Sequence, residues 1–261
     1  MDAPDKTLEA TSISLSVSLS MTHTALLYEG KAKRLYPTEQ PEVLLCQYKD
    51  DATAFNAQKK GQIARKGEVN CTVAAILFQY LQGQGVPTHF ITQISPTEMT
   101  VKSVAIVPLE VVVRNRAAGS LCKRLGLERG VAIAPPLVEF FYKKDELGDP
   151  LVTNDHIALL QLANPEQVDA LRQRSLQINE LLQAFFQACR LELVDFKLEF
   201  GVDASGDILL ADEISPDTCR LWTLGEERVL DKDLFRFDLG DPAAGYLEVL
   251  ERVRSAAFQF P

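Results

Sequence analysis

Val194-Asp195-Phe196-Lys197-Leu198-Glu199-Phe200 is the stretch on which the reading of the fold turns. Successive side chains of a strand point to opposite faces. Val194, Phe196, Leu198 and Phe200 therefore share one face, and Asp195, Lys197 and Glu199 share the other. Val202-Asp203-Ala204-Ser205-Gly206 follows, rich in turn formers, and leads to Ile208-Leu209-Leu210-Ala211 and the pair Asp212-Glu213. Segments 191–201 and 207–214 together read as a hairpin. Such a hairpin brings two or three carboxylates together with a lysine, a set of oxygen donors that suits Mg²⁺ held jointly with nucleotide phosphates. Taken alone, the same strand also fits a solvated surface of mixed charge, and that alternative stays open at this point.

Around the hairpin the second half of the chain is mixed. A short helix, 121–125, follows Gly119-Ser120 and stops at Gly126. A longer one starts at Asn164-Pro165, an N-cap Asn before Pro at the first helical position, and Val168, Leu171, Ile178, Leu182, Phe185 and Cys189 continue its stripe. A last amphipathic helix covers 242–258. The first half reads mostly as strands, 26–29, 34–36, 43–48, 88–94, 98–107 and 109–113. One helix between Gly67 and Gly83 interrupts them, with Val69, Val73, Ile76, Leu77, Tyr80 and Leu81 on one apolar face. Three regions follow: a low-complexity tail (1–24), a mainly β lobe (25–108) and an α/β lobe (109–261), with the boundary near Val107-Pro108.

The bulk composition agrees with a folded α+β chain of 261 residues, 46% hydrophobic and 24% charged. A net charge of −9 argues against a generic nucleic-acid binder, which needs a basic footprint. The five cysteines are scattered without a C-x-x-C pair, which favours reduced thiols and an intracellular setting, and the three histidines lack zinc spacing. No apolar run reaches the ~18–20 residues of a membrane span. Nine of the first 24 residues are Ser or Thr, and the acidic start fits neither a signal nor a transit peptide. Met21 as the start of the functional chain is a reading that N-terminal sequencing tests.

Other stretches carry candidate chemistry. Gly30-Lys31-Ala32-Lys33-Arg34 places a glycine turn beside basic residues, a way to approach phosphates that is distinct from a Walker loop; a solvated basic turn is the alternative. Arg114-Asn115-Arg116 leads to Ser120, read as the N-cap of the short helix, and the two arginines suit a phosphate monoester; surface arginines beside a capped helix are the alternative. Arg220 follows Asp212-Glu213 closely enough to lie near the metal region. Trp222 reads as core, and the basic run Gln58–Lys66 reads first as a solvated face.

The stretches Ile106–Ser120 and Leu193–Phe200 resemble the two signatures of the phosphoribosylaminoimidazole-succinocarboxamide synthase (SAICAR synthetase) family. Gly30-Lys31-Ala32-Lys33, Thr53-Ala54-Phe55-Asn56, Arg65-Lys66-Gly67, Asp212-Glu213 and Ser215-Pro216-Asp217 match in the family's order, over about residues 26–250. The resemblance implies a two-lobed α+β fold akin to ATP-grasp enzymes and protein kinases, with ATP in the cleft between lobes. It implies an ATP- and Mg²⁺-dependent ligase that joins L-aspartate to carboxyaminoimidazole ribonucleotide in purine biosynthesis. Carried over by position, Lys31 and Lys33 contact ATP phosphates, and the hinge 102–107, with Lys102 and Ile106, lies beside adenine. Glu199 and Asp212 hold Mg²⁺. Arg114, Ser120 and Arg220 grip the 5′-phosphate, Asp195 and Lys197 lie at the reacting centre, and Lys143 and Asp149 match substrate-side positions. Asn56 stands where some members carry Asp. The expected setting is a cytoplasmic homo-oligomer, a dimer in the first instance, without nucleic-acid or membrane partners.

Overall fold

The computed structural model describes residues 25–54 and 58–260; the tail 1–24, Met21 as a start, and Asn56 lie outside the described residues. In chain order the strands of the first half are β1 (Tyr28–Glu29), β2 (Lys33–Pro37), β3 (Val43–Tyr48), β4 (Asp51–Ala54) and β5 (Lys59–Gln62). Helix α1 (Lys66–Gly83), β6 (Phe90–Ser95) and β7 (Glu98–Lys102) complete it. The second half holds β8 (Ala105–Arg116), α2 (Gly119–Leu125), β9 (Ala132–Tyr142), β10 (Leu151–Val152), α3 (Asn154–Leu159) and α4 (Pro165–Ala188). It closes with β11 (Leu191–Val202), β12 (Ile208–Ala211), β13 (Cys219–Thr223), α5 (Asp233–Phe237) and α6 (Pro242–Ala257).

Two antiparallel sheets dominate. The first has the order β1-β2-β3-β7-β6; the second runs β10-β9-β8-β11, with β12 and β13 sharing the far edge of β11. Helix α4 starts at Asn164, whose side chain accepts from Gln167 N while Gln167 returns a bond, a capping box with Pro165 behind it. Its stripe of Val168, Leu171, Ile178, Leu182 and Phe185 is fully buried and packs on β11, which supplies Phe196, Leu198 and Phe200. Each such side chain contributes about 1.5–3 kcal/mol by leaving water. The same core continues into the first sheet through Phe78, Met99 and Val101 of α1 and β7, and α1 packs against α6. One hydrophobic core therefore runs on from the second sheet to the first. Trp222 lies in the small neighbouring cluster with Ala118 and Val194.

The strand break expected at Pro108 is absent, because β8 runs straight through it. Proline is tolerated in a sheet at a bulge, and β8 and β11 slip register between Glu199 and Gly201, opposite this point. The chain instead leaves the first sheet at Ser103-Val104, between β7 and β8. There Val104 packs on Gly201, where an added Cβ would lie 2.4 Å from Val104 Cγ2.

Register around β11 assembles the site. Asp195 pairs with Arg114 of β8 on one side and Arg220 of β13 on the other. Four residues on, Glu199 pairs with Glu110 of β8 and with Ala211 of β12, the residue before Asp212.

Candidate active site

Residues of both sheets line one cleft of about 1160 Å³. Lys31, Lys33, Lys102, Ile106, Arg114, Ser120, Lys143, Asp149, Asp195, Lys197, Glu199, Asp212 and Arg220 all lie on its wall. The charged face of β11 is thus the cleft floor: Asp195 and Glu199 are only 3% and 4% exposed. The solvated-surface alternative fails on that burial.

At one end, lysines and carboxylates interlock. Lys197 Nζ lies 2.6 Å from Glu199 Oε1, 3.0 Å from Glu110 Oε1 and 3.6 Å from Asp212 Oδ2. Lys143 Nζ reaches Glu199 Oε2 at 2.8 Å, while Lys33 bonds Asp212 and lies 3.2 Å from Glu213 Oε1. Burial alone would lower the pKa of Lys33 and Lys197, but the facing carboxylates outweigh it and hold both above the ordinary lysine value. Asp212 is the mirror case: burial would raise it, and Lys33 and Lys197 hold it well below the usual carboxylate range. Asp212 follows β12 directly with φ +60, a left-handed conformation that Asp tolerates better than most residues. A single cationic centre, the Lys197 ammonium, sits within reach of both Glu199 and Asp212. Among the described residues no three His, Cys, Asp or Glu side chains form a ready-made metal cage. This donor set fits a hard divalent cation that takes one or two carboxylates and completes its shell with phosphate and water.

At the other end the groups are guanidiniums. Arg114 donates from Nη1 to Asp195 Oδ2 at 2.7 Å and from Nε to Glu139 Oε2 at 2.7 Å. Arg220 Nη1 lies 2.8 Å from Asp195 Oδ2 and 3.0 Å from Oδ1, and its Nε bonds Asp233 Oδ2 at 2.8 Å. Asp195 is therefore clamped between two arginines. Ser120 accepts from Arg114 Nη2 at 3.4 Å. It is not the N-cap: Ala118 occupies that position, and Gly119, with φ +55, opens the helix so that Ser120 falls in its first turn. Past the Glu199 end, where Ile106 pairs with Gly201, the cleft wall is apolar: Leu35, Leu44, Val101, Val104 and Ile106 line it together with Lys102.

A family model described as SAICAR synthetase matches residues 26–253. The phosphoribosylaminoimidazole-succinocarboxamide synthase of Synechococcus sp. (strain JA-2-3B'a(2-13)) is 72% identical over 233 residues, covering 88% of this chain and 94% of the relative. The crystal structure of the synthase from Ehrlichia chaffeensis superposes with a TM-score of 0.86 at 42% identity, over 88% of this chain and 98% of the other. A SAICAR synthetase solved in complex with ADP gives 0.85 at 44%, over the same shares. The chain belongs to the SAICAR synthetase family. It is an ATP-dependent carbon–nitrogen ligase of purine biosynthesis.

In and behind the wall of the SAICAR synthetase cleft stand residues to which the sequence assigned no role. Glu110, Glu139 and Asp233 each hold a lysine or arginine named above. Lys66, expected on a solvated basic face, is 1% exposed, and its Nζ lies 2.8 Å from Asp217 Oδ2 though out of line for a hydrogen bond. Asp217 also takes a 2.5 Å bond from Tyr246 OH and faces Lys232 at 3.4 Å. The departure has a plain cause: α1 starts at Lys66, and Gly67 behind it packs against the Tyr48 backbone, which turns the lysine inward. His89, lining the cleft near Lys33 and Asp212, is pushed down to about 4 by burial and stays neutral. The signals for these supporting residues were the family matches Ile106–Ser120, Arg65-Lys66-Gly67 and Ser215-Pro216-Asp217, which gave Glu110, Lys66 and Asp217 no role.

Proposed function

We propose that this cleft divides its work along β11, with nucleotide and metal at the Glu199 end and the ribonucleotide phosphate at the Asp195 end. The substrates are ATP, L-aspartate and carboxyaminoimidazole ribonucleotide; the products are the succinocarboxamide nucleotide, ADP and phosphate. A carboxylate is a poor acyl donor. Transfer of the γ-phosphoryl group to it gives an acyl phosphate, and the aspartate amine then displaces phosphate to form the amide.

Lys31 and Lys33 contact the ATP phosphates, and Lys102 and Ile106 frame the base. Glu199 and Asp212 would hold Mg²⁺, which would supply positive charge beside the nucleotide phosphates. Lys143 and Lys197 face the same oxygens and add to that compensation, work that is chiefly positioning and electrostatics. Arg114, Ser120 and Arg220 grip the 5′-phosphate, and Asp149 closes the substrate side. Asp195 acts through the two arginines it aligns at the ribonucleotide end, because both of its oxygens are already engaged by them. The lobes expected over 25–108 and 109–261 are proposed to close on the nucleotide. Five free cysteines, four of them buried, favour a cytoplasmic chain. Exposed Leu147, Leu151, Leu159 and Leu160 favour a homodimer, which sedimentation velocity tests. Among the described residues, no helix is long and apolar enough to cross a membrane.

The observation that carries the reading is the pairing register of Asp195 and Glu199, which puts an arginine-lined subsite and a lysine-and-carboxylate subsite on one strand. An ADP-release assay with the carboxylated ribonucleotide, run with and without L-aspartate, tests it. Glu199→Gln is expected to lower kcat by about 100-fold or more, with ADP binding in Mg²⁺ weakened in parallel. Normal turnover at ordinary Mg²⁺ would remove the metal assignment.

A further inference from the structure

Arg220 is held at three points. Its Nε donates to Asp233 Oδ2 at 2.8 Å, and its Nη1 donates to both Asp195 oxygens at 2.8 and 3.0 Å. Beneath it lies Gly119, where an added Cβ would stand 2.5 Å from Nη2. Nη2 is the edge of the guanidinium that these bonds leave unused.

Asp233 is itself fixed. Its second oxygen takes a 2.6 Å bond from Arg236 Nη1, and its backbone N–H donates to Asp231 Oδ1 at 2.8 Å. Asp231, fully buried at 0% exposure, uses its other oxygen to accept from Leu221 N at 2.8 Å. Leu221 is the residue after Arg220. One buried carboxylate thus ties together the backbone beside Arg220 and the backbone of the residue that orients Arg220. A fully buried carboxyl group is costly to desolvate, and with both oxygens engaged its bonds fix what they touch. Here the bonds converge on one side chain that faces the cleft.

We propose that Asp231 and Asp233 are positioning residues for the ligase reaction: Asp231 sets the spacing between β13 and the start of α5, and Asp233 aims Arg220 so that Nη2 is presented to the ribonucleotide phosphate. This rests on the reading of Arg220 as a phosphate-gripping residue. The device acts through Arg220 alone for this ligand, and that makes it separable from general support of the fold.

The test is a double-mutant cycle with Asp233→Asn, Arg220→Gln and the pair, reading KM for the carboxylated ribonucleotide and KM for ATP. Loss of an aligned, charge-assisted bond predicts about a tenfold rise in ribonucleotide KM for Asp233→Asn, with kcat and ATP KM changed less than about threefold. Arg220→Gln raises the same KM at least as much, and the double variant matches Arg220→Gln alone, because the aimed group is gone. Asp231→Asn, which keeps the shape but presents an amide N–H to one of its two donors, shifts the same KM in the same direction and serves if Asp233→Asn fails to fold. Additive effects in the double variant would overturn the proposal, as would an unchanged ribonucleotide KM in both aspartate variants. If Arg220→Gln alone leaves that KM unchanged, the phosphate reading itself fails, and the proposal falls with it.

Discussion

Gly119→Ala separates backbone strain from the pose of Arg220. Gly119 has φ +55, where an L-residue with a Cβ costs about 1–2 kcal/mol. Gly126, at the other end of α2, has φ +67 but open space around it. Gly126→Ala therefore meets the strain alone, and about 1–2 kcal/mol of lost stability is its whole expected effect. Gly119→Ala carries the same strain and also drives a methyl group to 2.5 Å from Arg220 Nη2. The guanidinium must swing away, loosening its charge-assisted bonds to Asp195 and Asp233, each worth about 1.5–3 kcal/mol. Urea unfolding then shows Gly119→Ala less stable than Gly126→Ala by a further ~1–3 kcal/mol. Ribonucleotide KM rises about 10- to 100-fold in Gly119→Ala, equivalent to about 1.4–2.8 kcal/mol, and stays near wild type in Gly126→Ala. Equal stabilities for the two variants, together with unchanged KM in both, would refute the claim that Gly119 exists to seat Arg220.

Gly201→Ala pushes a methyl group to 2.4 Å from Val104 Cγ2, on the apolar wall of the cleft. ATP KM should rise about tenfold and return toward wild type when Val104→Ala is added; a failure of that rescue removes Val104 from the base site. Asp217 gives a pH prediction. Burial would raise its pKa, but Lys232 and Lys66 hold it below the ordinary carboxylate value. A depressed folded-state value means that its stabilisation is present above pH about 4 and is lost as the pH falls below that. Asp217→Asn should be less stable than wild type at pH 7 by about 3–5 kcal/mol, and the gap should narrow at pH 3. An equal gap at both pH values in urea titrations would contradict the assignment.

Much of the fold was legible because its signals are local. The capped start of α4, its apolar stripe and the turn residues between β11 and β12 each lie within a short window, and each forms as expected. Pro108 misled for the same local reason: a proline reads as a break until its irregular pairing with a strand some 90 residues away is known. Lys66 and Ser120 misled in a related way. A basic run reads as solvated and a serine before an apolar run reads as a cap, but packing against Tyr48 and the left-handed Gly119 decide otherwise.

The site itself shows where sequence reading stops. Alternation placed Asp195, Lys197 and Glu199 on one face, and Lys197 does bond Glu199 on that face. Alternation could not say that Asp195 would meet arginines and Glu199 lysines. That outcome depends on the register of three strands: Arg114 lies 81 residues from Asp195, and Arg220 lies 25. Register in turn follows from burying Phe196, Leu198 and Phe200 against α4, since a one-residue slip would send all three to the cleft and the charges to the core. The apolar face of β11 therefore fixes which charges its polar face can reach. Cavity-forming substitutions such as Phe196→Ala should then disturb both subsites at once, whereas Arg114→Gln should disturb only the ribonucleotide end. Comparing ribonucleotide KM and ADP affinity in these two variants checks the coupling, and an unchanged ADP affinity in folded Phe196→Ala would break it.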